Sequence, residues 1–158
     1  MKLNELPGHS RVWVYQSNRF FTVEEAEYLT KTLDQFVDTW AAHGKKLHAA
    51  AEVHNLLFIV IAVDEQAAQA SGCSIDASMA VLKEIEQKFG VSLTNRMLVA
   101  TENQEDIQLL QLHTLSDEIK AGRLTENHLV YDNLVNTIAD WKSNWKKPIK
   151  ESWHARFI

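Results

Sequence analysis

The chain has a single cysteine, Cys73, so it cannot close an internal disulfide. Nothing in its cysteine usage points to an oxidising compartment. Long hydrophobic runs are missing as well. The longest, Leu56 to Val63, falls far short of the ~20 residues of a membrane-spanning helix. The opening stretch MKLNELPGHSRVWVYQ holds no apolar run of signal-peptide length. The expectation by elimination is a cytoplasmic protein with no membrane partner. Cationic surplus is absent too: 16 Lys and Arg against 21 Asp and Glu leave a net charge of −5. That balance argues against broad nucleic-acid binding through the phosphate backbone. The one candidate basic patch, Lys142, Lys146, Lys147 and Lys150, reads as a solvated helix face. No internal repeat or low-complexity tract is evident.

A phosphate-binding loop is also lacking. The apolar strand ending in Asp64-Glu65 looks like the element that holds magnesium in nucleotide hydrolases. That chemistry also needs G-x-x-x-x-G-K-[ST] to cradle the phosphates. The segment HGKK (43–46) has neither the upstream glycine nor a following Ser or Thr. Nucleotide hydrolysis is therefore the least favoured activity.

What is present fits one folded domain, residues 1–158, with 46% hydrophobic residues. RVWVYQS (11–17) is β-branched and aromatic, which favours a strand. Thr22 and Glu25 have capping-box spacing. A helix follows, with Ala26, Leu29, Leu33, Phe36, Val37 and Trp40 on one stripe, and Gly44 is expected to end it. KLHAAAEV (46–53) alternates between two faces, and His54-Asn55 can turn the chain into LLFIVIAV (56–63). That strand is apolar on both faces, so it is expected to be central and covered twice. Ser74 is the expected N-cap of a second helix, closed by Gly90, and RMLVA (96–100) reads as a fourth strand. The remainder reads mostly helical. Trp141 and Trp145 share a face, and the tail ESWHARFI, with Trp153, Phe157 and Ile158, is expected to dock on the body.

The order over 11–101 is β-α-β-β-α-β, the ferredoxin-like split pattern. The expected fold is α+β: an antiparallel sheet with its strands in the order 4-1-3-2, two helices on one face, and a helical extension over 102–158. A doubly wound parallel sheet is the alternative, and it would bring Gln16–Arg19 beside Asp64–Cys73. The antiparallel topology instead brings the loop after the third strand beside the loop after the first helix. Thr101-Glu102 is expected at the same end.

That placement gathers a candidate site. Cys73, near a helix N-terminus whose partial charge favours thiolate, is the candidate nucleophile. His43 is the candidate base, and Asp64 the carboxylate that orients it. Glu65, Gly72, Ser74 and Lys45 are candidate ligand-binding residues. The competing structural account is that Cys73 is a small apolar side chain and that Gly72 and Ser74 only begin a helix. His48, Glu52 and His54 share a strand face and tempt a metal reading. His48 and His54 lie ~20 Å apart along an extended strand, too far to share an ion. No metal or cofactor is expected. Arg19 can grip an anion or pair with Glu24 or Glu25.

The segments VWVYQSNRFFTVEEAEYL, W-AAHGKKL, FIVIAVDE and ASGCSIDAS resemble a family of short bacterial proteins of uncharacterised activity, sometimes labelled ABC-transporter-like ATPase. The resemblance covers most of the chain and is strongest over 11–101. It implies a cytoplasmic single-domain protein and brings no catalytic residues with it. The expected function is a non-catalytic domain that binds a small ligand or a protein partner, with a homodimer as one arrangement. A small thiol-dependent enzyme or redox sensor built on Cys73, His43 and Asp64 is the alternative.

Overall fold

Two capping boxes set the main helices. In a computed structural model describing all 158 residues, Thr22 Oγ1 accepts from Glu25 N at 3.1 Å, and Glu25 Oε1 accepts from Thr22 N at 2.9 Å. Helix α1 follows over Val23–Thr39, after strand β1, Arg11–Gln16. It ends at Trp40; Gly44, expected to stop it, serves elsewhere. His43 (φ 51°) and Gly44 (φ 76°) turn a small hairpin between β2, Ala41–Ala42, and β3, Lys45–Lys46. Strands β4, Ala49–His54, and β5, Phe58–Val63, form the next hairpin.

Helix α2, Gly72–Phe89, has its N-cap three residues before the expected Ser74. Ser71 is the N-cap because its hydroxyl accepts from Ser74 N, while Ser74 Oγ accepts from Ser71 N. Gly90 (φ 62°) closes the helix as its sequence position implies.

The first sheet has the order β1-β5-β4, antiparallel throughout. Its central strand is buried on both faces, as the apolar run requires. Ile59, Ile61 and Val63 meet Leu29, Leu33 and Val37 of α1 and Leu82 and Ile85 of α2. Phe58, Val60 and Ala62 face the other way. The α+β class and the split arrangement of these three strands hold.

The 4-1-3-2 sheet does not form. The edge of β1 meant for a fourth strand is occupied by residues 136–138: Val12 N donates to Asn136 O at 3.0 Å, and Ile138 N to Ser10 O at 2.9 Å. The expected fourth strand is β6, Leu98–Asn103, and it lies in a second sheet. With β7, Asp106–Gln111, β8, Leu129–Tyr131, and β9, Lys146–Pro148, it makes the order β7-β6-β8-β9. The segment after residue 101 is thus largely strand. Its helices are only α3, Leu115–Lys120, and α4, Ile138–Asn144.

The sheets share a core in which Phe58, Val60 and Ala62 meet Ala100, Tyr131, Ile138 and Trp145. The face that α1 and α2 leave open is therefore covered by the second sheet and α4. The tail docks instead on the outer side of that sheet, where Trp153 packs against a cluster holding Val99, Leu115, Val130 and Ile149. Phe157 and Ile158, expected to dock with it, stay 41% and 38% exposed.

The β6–β7 turn carries left-handed backbone at Gln104 (φ 52°) and Glu105 (φ 72°) without a glycine. An L-residue there costs roughly 1–2 kcal/mol, and glycine returns part of that as chain entropy. Glu105 is exposed and has no side-chain hydrogen bond or ion pair. Glu105→Gly is expected to raise stability by about 1 kcal/mol, measured by urea unfolding. An unchanged or lower midpoint would show that the turn is not strained.

Candidate functional site

The acids at the end of β5 tie down their own loop. Asp64 Oδ1 lies 3.0 Å from His9 Nε2 and accepts from Gln66 N at 3.1 Å. His9, first among these contacts, holds the Asp64 carboxyl below the usual carboxylate range. Glu65 accepts from Ala70 N at 3.2 Å and lies 3.6 Å from Arg11 Nη1. Cys73 is exposed in the first turn of α2, inside the helix where it was expected just before it. His43 and Lys45 are exposed on the β2–β3 hairpin. A Cβ at Gly72 would meet nothing within 4 Å, so packing does not require that glycine.

The loops after α1 and β5 meet, as the antiparallel topology predicts, but Thr101-Glu102 does not join them. Trp40 Nε1 donates to Ser74 O at 2.8 Å, and Asp64 N to His48 O at 2.8 Å. These bonds hold the loops after α1 and β5 at one end of the first sheet. Arg19 sits at the other end, donating to Phe89 O and, through both Nη atoms, to Glu25 at 2.8 and 2.9 Å. This is the antiparallel placement, and it excludes the doubly wound alternative. Asp64, however, pairs with His9, and no hydrogen bond joins Cys73, His43 and Asp64. Glu102 is not at this end: it lies in the second sheet and accepts from Tyr131 OH and Lys146 Nζ. Glu52 is engaged by His54 and by Leu3 N, and no three His, Cys, Asp or Glu side chains converge as a metal set.

A concave feature with convergent polar groups lies elsewhere, where the end of β1, the 93–98 loop, the segment after β8 and the C-terminal turn meet. It is a cleft of about 430 Å³, within the usual range for small-molecule sites. Leu93, Met97, Leu134 and Trp153 supply apolar wall.

Its amides are oriented by a relay. Trp145 Nε1 can only donate, so the atom 2.9 Å away on Asn133 is its carbonyl oxygen. The Asn133 amide nitrogen then donates to Gln16 Oε1 at 2.9 Å, and Gln16 Nε2 to Leu98 O at 3.3 Å. Each amide keeps one N–H outside the relay.

His154, 2% exposed, lies in the same wall. The Ser152 hydroxyl donates its one proton to Ile149 O at 3.0 Å. The 2.9 Å contact between that oxygen and His154 Nδ1 is therefore an Nδ1–H donation, and Nε2 carries the lone pair. Burial pushes the imidazole down to about 4, against Asp132, which raises it, and with Lys147, which lowers it. The ring is neutral at pH 7.

Charge distinguishes the cleft further. No Asp or Glu lines it, although acids outnumber bases in the chain. Of the five arginines, Arg11, Arg19 and Arg123 each have an acidic partner within 4.0 Å. The two without one, Arg96 and Arg156, are the two that line the cleft. Of the four candidate patch lysines, Lys146 and Lys147 pair with Glu102 and Asp132.

Sequence reasoning did not single out Gln16, Arg96, Asn133, His154 or Arg156. The one available signal was a His and an Arg set among the aromatic residues of a docking tail. Compared with protein-family models, curated proteins and solved structures, the chain has no match.

Proposed function

We propose that the chain is a non-catalytic, cytoplasmic small-ligand-binding domain whose ligand seats in the cleft between β1, the 93–98 loop and the C-terminal turn. One observation carries this reading. The cleft joins an apolar wall to polar groups held in fixed orientation, with both of the chain's acid-free arginines at its lining. Pre-set polar groups in an apolar concavity are what a small ligand needs for orientation and specificity. The resemblance to short bacterial proteins over residues 11–101 agrees with a cytoplasmic setting.

The test is a ¹⁵N–¹H correlation spectrum titrated with small organic probes of neutral, cationic and anionic type. At least one class is expected to shift the amides of 93–98, 133–134 and 153–156 at up to millimolar concentration. Silence of those amides with every class would overturn the proposal.

A thiol-dependent reading is favoured by one specific observation, the exposure of Cys73 in the first turn of an 18-residue helix. His43 would serve as base and Asp64 as its orienting group, after movement of the hairpin. Alkylation of Cys73 with iodoacetamide across pH 5–10 tests it. A midpoint at the ordinary thiol value near ~8.5, unchanged in His43→Ala, would sink this reading.

A further inference from the structure

We propose that the cleft selects a small organic anion with an apolar body, its head held by Arg96 and Arg156. This rests on the reading of the cleft as a binding site and goes on to name the chemistry of its ligand.

Arg96 reaches the cleft from the loop before β6, and Arg156 from the C-terminal turn, 60 residues later in the chain. Two arginines on separate segments bring like charges to one concavity. Elsewhere this chain meets its arginines with acids: Glu65 for Arg11, Glu25 for Arg19, Glu118 for Arg123. Here it supplies none, in a protein whose net charge is −5. An external anion completes the pairing that the fold leaves open.

The neighbouring amides point the same way. The Gln16 and Asn133 oxygens each already accept one hydrogen bond, from Asn133 and Trp145, while each amide keeps one N–H without a partner. With the two guanidinium groups, these N–H groups outnumber the one free acceptor assigned here, His154 Nε2, which suits a ligand rich in acceptors. A free inorganic anion would use only that side. Leu93, Met97, Leu134 and Trp153 make the rest of the surface apolar, and water leaves it when a hydrocarbon or aromatic body covers it. A cationic ligand would meet two guanidinium groups and no carboxylate.

The experiment uses the full chain and two matched series: 2-naphthoate, 2-naphthamide and 2-naphthylmethylammonium, then octanoate, octanamide and octylammonium. Inorganic phosphate serves as the head-group control. Dissociation constants are read from the amide shifts of 93–98 and 153–156. A carboxylate is expected to bind roughly tenfold or more tightly than its neutral amide, the scale of one lost charge-assisted contact. Added salt is expected to weaken it, phosphate to bind more weakly, and the ammonium compounds not at all. Arg96→Gln and Arg156→Gln, both at exposed side chains, should each remove most of the preference for carboxylate over amide, with unfolding midpoints unchanged.

Equal affinity for carboxylate and amide, or preference for the ammonium compound, would overturn this inference while leaving the cleft as a binding site. No binding by any of the six would overturn both. A carboxylate preference that survives the double variant Arg96→Gln/Arg156→Gln would overturn the assignment of the two arginines.

Discussion

Trp145→Ala is expected to destabilise the protein by about 3–5 kcal/mol, the range for deleting a large buried aromatic side chain. Trp145 is the aromatic hinge-pin between the two sheets. Its ring lies 4.8 Å from Phe58 of β5, 4.9 Å from Tyr131 of β8 and 5.5 Å from Trp141 of α4, centroid to centroid. Phe58 is itself fully buried, so the neighbourhood cannot collapse into the gap without moving a sheet. Against a typical total of about 5–15 kcal/mol, a loss of that size takes a large share of the stability. Urea unfolding followed by far-UV circular dichroism measures it. A loss below about 1 kcal/mol would show that the two sheets do not depend on this contact.

Trp145→Phe separates packing from the hydrogen bond. Phenylalanine keeps most of the ring but leaves Asn133 Oδ1 without its donor. The stability cost is expected at about 1 kcal/mol, that of one lost hydrogen bond to a half-buried acceptor. The Asn133 amide is then free to flip, which breaks the orientation passed on to Gln16. Affinity in the cleft should fall even though no cleft residue has changed.

What was legible in the sequence was local. Thr22 with Glu25, the doubly apolar run at Phe58–Val63, and Gly90 each act through neighbours within a turn or a strand, and each does what its pattern implies. The second sheet was not legible for an equally physical reason. Gln104 and Glu105 turn a hairpin in left-handed backbone, and neither turn position is a glycine or asparagine. The segment that follows then reads as mostly helical. The competition for the β1 edge also lay beyond local pattern, because residues 136–138 take it from more than 120 positions away. Of the candidate site, the meeting of the loops after α1 and β5 followed from strand directions alone. The cleft did not, since Gln16, Arg96, Asn133 and His154 form no motif and meet only because the tail wraps the second sheet.

The second large effect is one of pH. His154 is held neutral in the fold, its value pushed by burial from the ordinary 6.5 to about 4. In the unfolded chain the same ring charges near 6.5, so between these values the unfolded state binds more protons. The stabilisation is therefore fully present above pH 6.5 and is lost as pH falls towards 4. At about 1.36 kcal/mol per pH unit, the loss is on the order of 3 kcal/mol. Other depressed groups lose their stabilisation lower: Glu25, held at about 2 chiefly by Arg19, only as pH falls below its ordinary 4.5, and Asp64 only below its ordinary 3.8. Among these shifted groups the window from 6.5 to 4.5 belongs to His154. Urea midpoints should fall across it in the native chain and run flatter in His154→Gln, whatever that variant costs at pH 7. Equal slopes in the two proteins would refute the assignment. The chain also has a cheaper way to charge the ring than unfolding completely. His154 sits four residues before Ile158, in a short turn held by Ser152 and by stacking on Trp153 at 3.8 Å. Releasing that turn hydrates the imidazole while both sheets stay intact. If release comes first, the protection factors of amides 152–157 fall between pH 6.5 and 5, before the global midpoint moves by the full amount. Arg156 leaves with the turn, so the cleft loses one wall and one of its two cations in the same step.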